Sequence, residues 1–227
     1  MSLVFSCSEE IKIEFKEDHF EASKDAEISI NYPKAEGDNA VSELINTTIQ
    51  NYIVNQMNLG EDSLTNLSIG DAIKRFNADF VSFKTDFPES SQKWEAFIDG
   101  EITYRSTEII CIAINSYLDT GGAHGNTNIT FFNFNPQTGK LYSKTELFNT
   151  IDALSEIIAK QLKEELKSDV SMEAIFFGKD FQLPESLGFS DEGLIVLYNP
   201  YEIASYSQGI IEFTIPYEDI SSYLNKH

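Results

Sequence analysis

The chain has 227 residues, of which 41% are hydrophobic and 12% aromatic, so it can bury a substantial core and is not a disordered tail. Its formal net charge of −21 is spread evenly along the sequence, which disfavours nucleic acid and anionic lipid and is typical of solubility or of cationic partners. No apolar run reaches the roughly 18 residues of a membrane-spanning helix.

The first residues place a cysteine in a lipobox-like context. The stretch VFSC, ending at Cys7, resembles a bacterial lipobox, in which a small residue precedes a cysteine that is lipidated and becomes the mature N-terminus. The following SEE (residues 8–10) resembles the acidic tag of some surface-exported lipoproteins. We therefore expect an outer membrane lipoprotein of the bacterial cell envelope, periplasmic or surface-exposed, that touches the membrane only through a lipid anchor at Cys7. An unmodified thiol is the alternative.

The N-terminal part predicts two strands and two helices. Alternation of apolar and polar residues indicates strands over Ile11–Phe15 and Glu27–Tyr32. From Asn39 the apolar spacing becomes helical for about 18 residues. Ser68 is a plausible N-cap for a second amphipathic helix, which Pro88 ends.

The rest of the chain is richer in strands. Alternating segments predict strands over residues 93–106, 108–118, 128–135, 193–198 and 209–215. A third amphipathic helix, capped by Asn149-Thr150, interrupts them, and a short helix near residues 216–224 ends the chain. Strands joined by tight turns and grouped apart from helices predict an α+β fold, with antiparallel sheets, amphipathic helices packed on them and two lobes. We place the lobes at residues 8–90 and 91–227.

Several kinds of chemistry are disfavoured by the residues present. Three histidines and two cysteines form no HExxH motif and no zinc-ligand cluster, so we expect no metal. There is no G-x-S-x-G elbow and no phosphate-binding glycine loop, and we expect no cofactor. We assign no catalytic residue.

Two loops contain more than a turn requires. The segment YLDTGGAHG (residues 117–125) places three glycines around His124, and YNPYEIASYSQG (residues 198–209) places three tyrosines between two strands. Glycines permit close approach of the backbone, and a histidine there can donate and accept hydrogen bonds near neutral pH. Packing roles for the histidine and the tyrosines are the alternative. Candidate binding residues are Asp119, Gly121, Gly122, His124, Tyr201, Glu202 and Tyr206.

These same segments resemble a known family. The glycine–histidine loop, the NPQTGK turn (residues 135–140) and NPYEIA (residues 199–204) are similar to the C-terminal domain of RsiV-type anti-sigma factors, domain of unknown function family 3298. The order of the earlier strands and helices resembles the companion family 4163, which also precedes the catalytic domain of some peptidoglycan deacetylases. The resemblance implies an extracytoplasmic recognition domain, because the best understood member is a receptor that binds lysozyme.

The sequence therefore predicts a binding module for a lysozyme-like cationic protein or for peptidoglycan. Its negative charge suits a cationic partner through long-range steering. The alternative is a hydrolase of envelope polymers that uses His124 as acid or base, with Glu202 or Asp119 as its partner. The sequence favours the binding module over the hydrolase, because it shows no recognisable combination of a nucleophile, a base and a residue that orients the base.

Overall fold

The computed structural model describes residues 13–37, 39–166, 175–203 and 205–226. In these ranges the strands are β1 (Phe15–Ala22), β2 (Glu27–Ala35), β3 (Glu95–Arg105), β4 (Ile110–Asp119), β5 (Asn126–Phe134), β6 (Leu187–Phe189), β7 (Gly193–Tyr198) and β8 (Ile211–Pro216). The α-helices are α1 (Ala40–Gln56), α2 (Ile69–Asp86), α3 (Lys144–Leu147), α4 (Ile151–Glu165) and α5 (Tyr217–Ile220). Short 3₁₀ helices lie at Tyr206–Gln208 and Ser221–Tyr223. The predicted α+β class is confirmed.

Two sheets organise the chain, a five-stranded sheet in the order β1-β2-β3-β4-β5 and a three-stranded sheet in the order β6-β7-β8. All pairs are antiparallel except β2 with β3, which run parallel. That pair is parallel because α1 and α2 carry the chain back to the end of the sheet at which β2 began. The boundary that we placed at residue 90 lies between these two paired strands, so the large sheet continues across it.

Helices α1 and α2 cover one face of the large sheet and form the first hydrophobic core. The Asn39 side chain accepts hydrogen bonds from two backbone amides at the start of α1, and Ser68 accepts one at the start of α2, as N-caps do. Trp94, just before β3, packs against Phe80 and Phe83 of α2 with ring centroids 5.6 and 5.4 Å apart. These contacts fix α2 against the strands.

The C-terminal lobe covers part of the opposite face of the same sheet. Its core joins α4 and the small sheet to Cys111 of β4 and Phe131 of β5. A side chain at Gly188 in β6 would overlap the Phe131 ring, so the glycine allows β6 to lie directly against β5. The two lobes therefore share one sheet between two cores.

Some local predictions were wrong in detail. The first strand was predicted over residues 11–15, but β1 begins at Phe15. Residues 11 and 12 lie outside the described part of the chain. This strand is at the sheet edge and carries charged residues that weaken the alternation. Thr150 occupies the N-cap of α4, but its hydroxyl donates to the Asn149 side chain and accepts no hydrogen bond from the amides of the helix. Elements α3 and β6 were not predicted, and Cys7 lies outside the described residues.

Candidate functional site

The loop between β4 and β5 is held by side chains at its first bend. Asp119 Oδ1 accepts a hydrogen bond from the Gly121 amide at 2.8 Å, and the Gln92 side chain donates to the Gly121 carbonyl. Gly121 has φ of +88°, in the left-handed region that glycine adopts without strain. Gly122, the next residue, is exposed, and a Cβ there would meet only the His124 carbonyl oxygen, at an ordinary contact distance of 3.8 Å. The loop is thus fixed on one side and open on the other.

The end of this loop lies against an aromatic ring of β4. A side chain at the buried Gly125 would overlap the ring of Tyr117. Tyr117 in turn stacks on Phe97 of β3, with centroids 6.0 Å apart and an interplanar angle of 11°. The glycine therefore brings the loop backbone into contact with an aromatic pair on the sheet.

The tyrosine-rich loop is pinned to β5 by Asn199. The Asn199 side chain accepts a hydrogen bond from the Ile129 amide at 2.8 Å and donates to the Ile129 carbonyl at 2.9 Å, as a neighbouring strand would. Glu202 closes the loop, since its carboxylate accepts hydrogen bonds from the Asn199 amide at 2.9 Å and the Glu185 amide at 2.6 Å. Burial raises the pKa of Glu202, although these two amides oppose the shift.

These restraints bring His124, Tyr201 and Tyr206 together, and we call the three the His–Tyr cluster. The His124 and Tyr206 rings stack with centroids 3.5 Å apart, and the Tyr201 ring lies 5.8 Å from that of Tyr206. Tyr206 donates its hydroxyl hydrogen to the Gly125 carbonyl at 3.1 Å. The two loops therefore meet on one surface of the molecule.

The hydrogen bonds of His124 fix its tautomer. Nδ1 lies 2.9 Å from the Gly125 carbonyl oxygen, which only accepts, so Nδ1 carries the proton. In the neutral ring Nε2 then accepts from the Tyr201 hydroxyl, 3.2 Å away. Both ring nitrogens are engaged within the cluster.

Tyr201 is the residue of the cluster whose ring is most available to a ligand. Its side chain is 56% exposed, and its φ of +69° is uncommon for a residue with a bulky side chain. Such conformations persist only where the surroundings hold them, and they are frequent at ligand-binding sites. Beside the cluster an open depression of about 450 Å³ is lined by Thr127, Pro200, Tyr206, Gln208, Gly209 and Ile210.

The two candidate carboxylates hold backbone and not the histidine. Asp119 accepts from the Gly121 amide, and Glu202 accepts from the amides of Asn199 in its own loop and Glu185 before β6. Among the described residues neither carboxylate forms a hydrogen bond with His124. No cluster of three or more histidine, cysteine or acidic residues that could bind a metal occurs in the ranges described above. The geometry offers an exposed aromatic surface with hydrogen-bonding groups.

Two positioning residues were not among the predicted site residues. Gln92 precedes β3 and reaches the Gly121 carbonyl from a distant part of the sequence. Asn199 stood within the NPYEIA segment, but its partner Ile129 lies 70 residues away. A signal for Asn199 was present, since asparagine before proline is typical of turns, whereas Gln92 had none.

Comparison with solved structures supports the fold. A crystal structure of a DUF3298 family member from Bacteroides fragilis matches with a TM-score of 0.69 and 20% identity, over 94% of each chain. A DUF3298 family protein from Pseudomonas aeruginosa matches with a TM-score of 0.62 and 16% identity, also over 94% of each chain. At these identities the likeness shows the fold alone. No curated protein matches the chain, and no helix in the described ranges has the length and apolar character to cross a membrane.

Family models divide the sequence in two. Residues 20–127 match the model described as deacetylase PdaC. Residues 143–218 match the model described as a protein of unknown function, DUF3298. The His–Tyr cluster combines His124 from the first match with Tyr201 and Tyr206 from the second. The chain thus carries a DUF3298 domain at its C-terminus, preceded by a PdaC-like region.

Proposed function

We propose that this chain is the extracytoplasmic part of an envelope lipoprotein and binds a lysozyme-like cationic protein or a cell-wall glycan through the His–Tyr cluster. The proposal includes an RsiV-type recognition domain, preceded by a region that resembles domain family 4163. The match of residues 20–127 to deacetylase PdaC and the resemblance to a lysozyme-binding receptor support this proposal. The net charge of −21 favours encounter with a cationic partner.

The observation that carries the proposal is the exposed Tyr201, whose backbone is held in a left-handed conformation beside the stacked His124 and Tyr206 rings. Tyrosine supplies a stiff, amphipathic contact surface, and such residues are enriched among those that dominate binding energy. The loops are already ordered by hydrogen bonds between side chains and backbone, so little freedom remains to be lost on binding.

Calorimetric titration with lysozyme and, separately, with muropeptides tests the proposal. We expect binding of one of them, and Tyr201→Ala should weaken it by about 30-fold, or roughly 2 kcal/mol, if the ring is a dominant contact. Leu141→Ala is the matched control, because Leu141 is 45% exposed and follows the opposite end of β5. Absence of binding to both ligands, or equal weakening by both substitutions, contradicts the proposal.

The alternative of an envelope-polymer hydrolase is separated by activity on the same ligands. Incubation with peptidoglycan should release no product. Release that disappears in His124→Asn would replace the binding proposal by the hydrolase.

The lipoprotein part of the proposal rests on Cys7. Metabolic labelling with a fatty-acid probe should mark the natural full-length protein, and Cys7→Ala should abolish the label. A label that persists in the variant would show that Cys7 is not the anchor.

A further inference from the structure

Part of the large sheet face beside the C-terminal lobe is open. One depression, of about 220 Å³, lies between this face and strands β7 and β8. A second, of about 320 Å³, lies over β2, β3 and β4. The two share Asp99 and Asn115 and form one continuous surface, which we call the acidic cleft.

The rim of the acidic cleft carries carboxylates without partners. Asp99 and Glu101 project from the same face of β3, and Glu212 lies opposite on β8. All three are exposed, and within the described residues no hydrogen bond or ion pair engages them. Neither depression is lined by lysine or arginine. The rim therefore presents unneutralised negative charge.

Apart from the carboxylates, the lining of the first depression is largely apolar. It consists of Ala113, Ile129, Phe131, Ile195 and Leu197, together with the polar Thr103 and Asn115. Lysine and arginine combine an apolar stem with a charged head, and they lower the stem onto apolar surface while the head remains at its polar edge. An apolar floor with an acidic rim matches the shape and chemistry of such side chains.

An aromatic pair extends the cleft toward the His–Tyr cluster. Phe97 and Tyr117 line the second depression as a stacked pair, and ring faces attract ammonium and guanidinium groups. Tyr117 also lies against Gly125, whose carbonyl accepts hydrogen bonds from Tyr206 and His124. The cleft and the His–Tyr cluster are therefore neighbours, joined through Tyr117 and Gly125.

We infer that the acidic cleft docks a basic, extended segment of the partner protein, with lysine or arginine side chains placed between Asp99, Glu101 and Glu212. The inference rests on the proposed function and selects its protein ligand over its glycan ligand. A cell-wall polymer that itself carries carboxylates would be repelled by the three unpaired carboxylates of the rim.

The test uses a fluorescent peptide in which arginine and serine alternate, with binding followed by anisotropy at fixed ionic strength. The double variant Asp99→Asn/Glu101→Gln should weaken binding about fivefold, the loss of two exposed ion pairs. The matched control is Glu156→Gln/Glu164→Gln, which removes the same charge from the exposed surface of α4. It should change affinity less than about 1.5-fold, since those carboxylates act only through the general field.

Equal weakening by both double variants would show that the peptide senses net charge alone, and it would overturn the inference. So would undiminished binding to Asp99→Asn/Glu101→Gln. Titration of the same variants with lysozyme separates this inference from the proposed function. Binding that depends on Tyr201 but not on Asp99 and Glu101 removes the cleft and keeps the cluster, whereas peptide binding that depends on the cleft, with no effect of Tyr201→Ala on lysozyme, removes the cluster and keeps the cleft.

Discussion

The side chain of Asn199 should stabilise the folded state more than a surface asparagine normally does. It forms hydrogen bonds with both backbone groups of Ile129, accepting from the amide at 2.8 Å and donating to the carbonyl oxygen at 2.9 Å. Through this pair the tyrosine-rich loop is attached to the edge of β5. Asn199→Ala removes the two bonds together and leaves an amide and a carbonyl at a half-buried strand edge.

The expected loss follows from those two groups. A typical net hydrogen bond contributes about 1 kcal/mol, and a buried group left without a partner costs about 1–3 kcal/mol. Because Asn199 and Ile129 are half-buried, water can reach part of the edge, and we expect a loss of about 2 kcal/mol. For a chain of this size that corresponds to a decrease in Tm of roughly 4–8 °C.

Urea denaturation followed by circular dichroism measures the change in the free energy of unfolding. The slope with urea should be unchanged, since the same surface is exposed on unfolding. Asn126→Ala is the control, because Asn126 is exposed on the same strand and its side chain makes no hydrogen bond among the described residues. A loss below about 0.5 kcal/mol, the range of ordinary surface substitutions, would refute the reasoning.

Asn199→Asp separates the two bonds. One carboxylate oxygen still accepts from the Ile129 amide, but the other faces the Ile129 carbonyl and is repelled by it. Protonation of the introduced carboxyl restores a donor, so its pKa in the folded state should be raised. The stability that it contributes is then present at low pH and lost as pH rises through that raised pKa. A constant difference between Asn199→Asp and Asn199→Ala across pH would contradict this assignment.

Three further outcomes are expected. Burial raises the pKa of Glu202, so its contribution to the free energy of unfolding should be lost as pH rises above about 4, and Glu202→Gln should remove that contribution from the profile; an unchanged slope contradicts the shift. Burial also raises the pKa of Cys111 to about 11, so in a Cys7→Ser background a maleimide should label the protein only in denaturant. The core of residues 143–227 includes side chains of β4 and β5, so this fragment alone should not fold. Its NMR spectrum should show poorly dispersed amide signals, and well-dispersed signals would contradict this expectation.

The sequence predicted elements whose signal is local. Helices α1 and α2 carry regular apolar spacing and an N-cap side chain, and both begin at the expected residue. Strand β6 has three residues, too few for periodicity to reveal it. The parallel pairing of β2 with β3 depends on which strands become neighbours after two intervening helices, and no local pattern encodes that choice.

The sequence identified the residue types of the site but not the hydrogen bonds that connect them. Clustered glycines and tyrosines identified the loops, because these residue types have uncommon conformational and surface properties. The alternative hydrolase would use Glu202 or Asp119 as the partner of His124, whereas the structure joins both carboxylates to backbone amides. Contacts such as Asn199 with Ile129 span 70 residues and follow from the packing of the small sheet on β5.

The shared sheet explains how the glycine–histidine loop and the tyrosine-rich loop form a fixed surface. Strand β5 begins directly after the glycine–histidine loop, and its Ile129 holds the tyrosine-rich loop through Asn199. The residues of this strand alternate between the two cores, with Phe132 in one and Phe131 in the other, so it is anchored on both faces. Any movement of one loop relative to the other must therefore break hydrogen bonds or disturb a packed core. Binding to such a surface costs little ordering of its own side chains, and most of the contact energy of an exposed ring such as Tyr201 remains available for affinity.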